Sequence, residues 1–222
     1  MQVIDLSQTI EPGMTLFGPS APQPRIVPWM SHQQAAGSGI YQDCSCEISE
    51  VHFVTSISTY MDSPFHFDPD GASIETLTLD QLVLPGVVVD CTFVAARQAI
   101  GPEVLEGVEI EGRAVLFHTG WSRYWQQPEY MNSPFLSGET ASALRDRGAK
   151  LAGVDFLVID DTTNPRRPVH VTLLHNDILI VENLTHLRDL PAGGFTFHAA
   201  PVKFKGAAAF PVRAYAVIGE NT

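Results

Sequence analysis

The chain has 222 residues, 45% of them hydrophobic, and a formal net charge of −12 from 13 Lys and Arg against 25 Asp and Glu. That length and apolar content suit one large domain or two small ones around a sizeable core. The acidity argues against nucleic acid, which selects a basic stripe, and against an anionic membrane surface.

The start, Met1-Gln2-Val3-Ile4-Asp5-Leu6-Ser7, lacks the basic region and long apolar run of a secretory signal, and no window approaches a membrane span. Cys44, Cys46 and Cys91 form an odd set without framework or Cys-x-x-Cys spacing. They read as small, mostly buried residues of a cytoplasmic protein.

After a short apolar opening, Glu11-Pro12-Gly13 and Gly18-Pro19 signal turns. The stretch 21–39, rich in Pro, Gln and Ala, reads as a loop or arm lying across a partner subunit. Residues 46–57 are β-branched and predict one or two strands. Leu84-Pro85-Gly86 punctuates the chain before a buried strand at 87–91. Gly101-Pro102 opens a short helix, 114–118 is a second buried strand, and Ser137 caps a helix from 138 to 147 that stops at Gly148. A strand at 151–159 follows, then a helical stretch from His170 to His175 broken by Asn176-Asp177. Strands at 178–181, 195–204 and 212–218 close the chain. With no repeat and no linker, this predicts one α/β domain spanning 1–222, with mixed strands and few helices.

The chemistry gathers at Ser56-Ile57-Ser58-Thr59-Tyr60-Met61-Asp62-Ser63-Pro64-Phe65-His66-Phe67. Pro64 disfavours helix at Ser63, and on an extended chain alternate residues share a face, so Asp62 and His66 point together with Ser56, Ser58 and Tyr60 leading to them. Such a pair binds a metal, moves a proton, or is an ordinary buried polar pair. His170 and Glu182 flank the Asn176-Asp177 turn, which can bring them together; otherwise they are a helix-start residue and an exposed strand-end charge. Asp62, His170 and Glu182 then form a one-histidine, two-carboxylate set suited to zinc, manganese or iron, with His66 as proton shuttle. Trp121 and Trp125 wall an aromatic substrate pocket or anchor the core. His52 shares strand parity with Ser56 and Tyr60, and His198 is a further site candidate. No acyl-transfer serine elbow, phosphate loop or dinucleotide fingerprint is present.

These residues resemble the cyclase family, which includes bacterial kynurenine formamidases and isatin hydrolases. Its motif H-x-G-T-H-x-D-x-P-x-H-F stands here as residues 56–67. The resemblance continues through Thr119-Gly120-Trp121, Gly153-Val154-Asp155, His170-Val171-Thr172-Leu173-Leu174, Glu182-Asn183-Leu184 and the closing Pro201 and Pro211 segments. It implies a mixed-sheet swivelling β/β/α domain, assembled as a homodimer or homotetramer. It also implies hydrolysis of a small amide, formamide or lactone. In the family the two motif histidines and the aspartate hold one metal; the aspartate, the later histidine and the glutamate hold a second. Ser56 and Tyr60 replace both motif histidines here, so the first site is expected absent or rebuilt, while Asp62, His170, Glu182 and His66 are retained. One divalent ion with His66 as acid-base and Tyr60 as oxyanion donor is the leading expectation. A metal-independent cyclase, dehydratase or isomerase using Tyr60, His66 and Asp62 is the second, with Ser56, Trp121, Trp125 and His198 as substrate contacts. A non-catalytic small-molecule binder is the third.

Overall fold

A computed structural model describes residues 1–14 and 21–219, which fall into two compact units: 10–14 with 21–54, and 1–9 with 55–219. The turn expected at Gly18-Pro19 lies outside the described residues. In chain order, β1 (Gln2–Asp5) belongs to the larger unit. The smaller unit holds β2 (Arg25–Met30), α1 (His32–Gly37) and β3 (Ile48–His52). The larger unit continues with β4 (Tyr60–Asp62), α2 (Leu79–Leu82), β5 (Val83–Asp90), β6 (Ala99–Ile100), β7 (Ala114–His118), β8 (Phe135–Leu136), α3 (Gly138–Asp146) and β9 (Leu151–Val154). It ends with α4 (Pro168–Leu174), β10 (Leu179–Glu182), β11 (Phe195–His198), β12 (Ala209–Pro211) and β13 (Tyr215–Ile218).

In the smaller unit β2 and β3 pair as an antiparallel ribbon. The stretch 21–39 is therefore a strand and a short helix, not a loop. Ser31 and Gln34 form a capping box that starts α1 where periodicity gave no signal. His52 pairs with Arg25 on this ribbon and is exposed.

The larger unit is built on a nine-stranded sheet in the order β1-β13-β11-β5-β7-β9-β10-β4-β12. The central β5, β7, β9 and β10 run parallel, and the flanking strands are antiparallel. This is the mixed α/β sheet the resemblance implies. The parallel strands are near-continuously apolar because both faces are covered: every residue of β9 and β10 is buried.

Several expected boundaries move, among them the last strand, which begins at Tyr215 instead of 212. Leu84-Pro85-Gly86 lies inside β5. Pro85 is tolerated because the β7 ladder begins only at Gly86, and at Gly86 any Cβ would sit 2.0 Å from the Phe195 ring. β9 stops at Val154 instead of running to 159, because Asp155 turns to accept the Thr119 hydroxyl and the Thr119 and Gly120 N–H groups at the end of β7. The strand expected at 195–204 ends at His198. The helix after Ser137 forms as expected: the Ser137 hydroxyl accepts the Thr140 N–H at 3.1 Å, and Gly148 takes φ +75° beyond its end. Among the described residues, no helix is long and apolar enough to cross a membrane.

Candidate active site

β4 and β10 pair with Tyr60 opposite Glu182 and Asp62 opposite Ile180. Cross-strand partners share a face, and strand alternation puts Tyr60 and Asp62 on that same face. Three polar side chains therefore project together from a sheet where all three are buried. Glu182 is held at both oxygens: Oε1 accepts the Ile159 N–H at 2.7 Å, and Oε2 accepts the Tyr60 hydroxyl.

α4 delivers the imidazole. Arg167, at φ 46°, and Pro168 turn the chain into the helix, and the Asp160 carboxylate accepts the Val169 and His170 N–H groups at 2.9 Å each. The same carboxylate accepts the His170 Nδ1–H at 2.7 Å. That bond fixes the tautomer and leaves the Nε2 lone pair free. Nε2 lies 3.8 Å from Asp62 Oδ2 and 3.5 Å from Glu182 Oε1.

His66 brings Nε2 to 3.7 Å from Asp62 Oδ1. The two residues meet as expected, but by a different backbone. Ser63 is extended, whereas Pro64–His66 form a 3-10 turn. The Phe67 ring stacks on His170 at 4.7 Å and meets His66 edge-on at 5.0 Å, so one aromatic side chain braces both imidazoles.

Burial sets the electrostatics. It pushes the Asp62 carboxyl well above its usual range, and the Glu182 charge adds to this while His170 opposes it. Burial likewise raises Glu182 against His170, the Tyr60 hydroxyl and the Ile159 N–H. His170 is pushed down by burial, but Asp160, Glu182 and Asp62 outweigh that and hold it above its ordinary value. His66 is lowered to about 4 by burial and by His170, so it is neutral near pH 7. Burial and the Glu182 and Asp62 charges raise the Tyr60 phenol well above its usual range.

Both Asp62 oxygens are buried without a hydrogen-bond partner among the described residues. A buried carboxylate is costly unless it is paired or coordinates a cation. One oxygen of Asp62, a ring nitrogen of His66 and one of His170 lie within 4.8 Å of one another. Those three donors fit a divalent ion such as zinc or manganese, and Glu182 Oε1, 3.5 Å from His170 Nε2 and already accepting the Ile159 N–H, stands beside them.

The other candidates lie as follows. Ser58 takes φ 58°, which breaks the extended run before Tyr60, so parity does not aim the half-buried Ser56 at this face. The motif position is glycine in the family, which adopts that conformation without strain. Trp121 is buried against Tyr124, with its indole N–H donating to the Tyr130 carbonyl at 3.3 Å. Trp125 meets the Tyr130 ring edge-on. His198 stacks on Tyr215, and three strands separate its β11 from β10.

Asp160 escapes the sequence reading, and so does the role of Asn183 within the Glu182-Asn183-Leu184 block. Asp160 has no partner spacing that marks it; only the Pro168 helix start, which needs a cap, hints at an acid nearby. Asn183, at φ 61°, clips β10 to the motif. Its side chain donates to the Ser58 carbonyl at 2.8 Å and accepts the Tyr130 hydroxyl at 2.8 Å, while its carbonyl accepts the Thr59 hydroxyl at 2.7 Å. Asparagine's tolerance of the left-handed region is the available signal.

A family model described as "Putative cyclase" matches residues 4–161. The kynurenine formamidase of Bacillus cereus is 28% identical over 215 residues, covering 95% of this chain and 95% of its own length. A solved structure described as a potential metal-dependent hydrolase with cyclase activity superposes with a TM-score of 0.76 at 26% identity, covering 99% of each chain. Isatin hydrolase A from Labrenzia aggregata shares the fold, with a TM-score of 0.84 at 23% identity over 99% of this chain and 94% of that one. With most of its length matched by that family model, the chain belongs to the cyclase family.

Proposed function

We propose that this chain is a hydrolase acting on a carbon–nitrogen bond of a small amide or formamide, or on a lactone, with one divalent cation held by Asp62, His170 and Glu182. The carrying observation is Asp62, whose two buried oxygens have no hydrogen-bond partner among the described residues. The family assignment and the formamidase relatives support the reaction class. When bound, such an ion supplies Lewis acidity that polarises a carbonyl and makes water more acidic.

His66 is the acid-base. Its side chain is 32% exposed, whereas those of Asp62, His170 and Glu182 are 5% or less, so it alone of the four meets solvent and substrate. Neutral near pH 7, its ring accepts a proton from the attacking water and returns it to the leaving nitrogen. In place of the expected oxyanion role, Tyr60 has a holding one: it is buried and its hydroxyl is committed to Glu182. Its raised phenol keeps its proton and makes a poor ligand, which favours one cation over two.

The test is cation titration of metal-free protein by thermal shift and calorimetry. Zinc or manganese at a hundredfold excess over Kd is expected to stabilise the chain by about 2.7 kcal/mol, at one ion per chain. His66→Gln is expected to keep that shift while losing roughly 10²–10⁴ in turnover. No shift with either ion, together with chelator-insensitive hydrolysis, would sink the proposal.

A metal-independent cyclisation, dehydration or isomerisation is the second reading, and the buried Tyr60–Glu182 pair favours it. It requires the phenol, so Tyr60→Phe would abolish turnover in chelator. Under the first reading Tyr60→Phe keeps a cation-dependent hydrolysis, weakened by loss of the hydroxyl that holds Glu182.

A further inference from the structure

A second cleft, of about 330 Å³, opens beside the end of β7. Among the described residues its lining includes His118, Gly120, Arg123, Thr185, His186 and Arg188 and no carboxylate, while Asp90 and Asp155 lie behind His118, Asp5 behind His186 and Asp189 beside Arg188. In a chain with net charge −12 and only 13 Lys and Arg, two arginines around one hollow concentrate positive charge, and two histidines add ring nitrogens.

Arg123 and His118 meet at Gly120. This residue has φ +72°, and the spot its absent Cβ would fill lies 3.2 Å from Arg123 Nη1 and 4.0 Å from His118 Nε2. The turn is fixed from below, where the buried Asp155 carboxylate accepts the Gly120 N–H at 2.7 Å. Arg123 is held in place: Nη1 donates to the Gly120 carbonyl at 3.1 Å, Nη2 to the Tyr124 hydroxyl at 3.3 Å, and its guanidinium lies 4.6 Å from the Tyr124 ring centroid. Those contacts leave N–H groups of its five-donor fork unspent. Across the sequence, His186 at φ 56° is anchored through Nδ1 on the Asp5 carbonyl at 3.0 Å. Arg188 Nε lies 3.5 Å from Asp189, which leaves its two terminal nitrogens for a ligand.

We propose that this cleft binds a tetrahedral dianion of the phosphate class, either free or as the phosphoryl group of a small metabolite. Donors arrive from two separate segments, 118–123 and 185–188. A planar carboxylate is satisfied by one arginine fork, whereas a tetrahedral dianion presents acceptors in several directions and uses both. The site is distinct from the Asp62 cluster, with which it shares no residue.

The experiment is calorimetry on the full chain with inorganic phosphate and with glycerol phosphate, against acetate and chloride at matched ionic strength. Saturable one-to-one binding of phosphate or the monoester is expected, with tenfold or greater weakening in both Arg123→Gln and Arg188→Gln and none in Arg145→Gln. Tighter binding of the ester identifies a metabolite ligand; tighter binding of the ion identifies free phosphate. The Arg188 side chain is 77% exposed, so its replacement leaves the fold intact. Equal affinity for acetate, unchanged affinity in Arg188→Gln, or no heat beyond that of chloride would overturn the site.

Discussion

Asp62→Asn is expected to make the metal-free protein more stable while removing its cation binding and, on the order of 10³-fold, its hydrolysis. The two effects share one cause. Asp62 sits at 0% exposure with neither oxygen hydrogen-bonded among the described residues, and burial raises its carboxyl well above the usual range. A carboxyl raised in the folded state binds protons that the unfolded state has released, so stability falls as pH rises from the unfolded value toward the folded one. Asparagine is isosteric and cannot ionise. It removes that slope and returns about 1 kcal/mol or more near pH 7. Urea unfolding of both proteins between pH 5 and 8, in chelator, measures the difference. A mutant less stable than wild type throughout that range would show that Asp62 has a protein partner after all.

Asp160→Asn is the second large effect, with the opposite sign. Its carboxylate accepts two backbone N–H groups at the start of α4 and the His170 Nδ1–H. An amide keeps at most part of this, and its NH₂ opposes the donors it must face. Loss of a partnered buried charge beside His170 is expected to cost about 3–5 kcal/mol. Cation affinity should fall 10–100-fold, because the ring is no longer oriented with its Nε2 lone pair inward. Denaturation gives the first number and calorimetry the second. Reduced stability with unchanged cation affinity would confine Asp160 to a helix cap.

Much of this site was legible in the sequence because its backbone obeys strong local rules. Strand 178–181 delivers Glu182, the 170–175 helix breaks at Asn176-Asp177, and both place His170 beside Glu182 as spacing suggests. The meeting of Asp62 and His66 was legible too, although a 3-10 turn rather than an extended chain produces it. What stayed hidden depends on partners far apart in sequence. Asp160 is defined by what it caps, Asn183 by the Ser58 carbonyl 125 residues away, and the strand at 25–30 by its pairing with β3. Gly86 illustrates the same limit: punctuation by composition, but a packing position once the Phe195 ring is placed over it.

The register of β4 has a further consequence. This strand is three residues long and clamped between β10 and β12, with Met61 fully buried on the face opposite Tyr60 and Asp62. The ladder therefore works as an address: it decides which chain positions reach the face shared with Glu182, whatever residues occupy them. Substitutions at 60 or 62 change the groups on that face without moving the strand. A one-residue insertion or deletion does the reverse, exchanging methionine for carboxylate at the heart of the molecule. New activities on this scaffold are thus reachable by replacement within a fixed frame, and closed to changes of length.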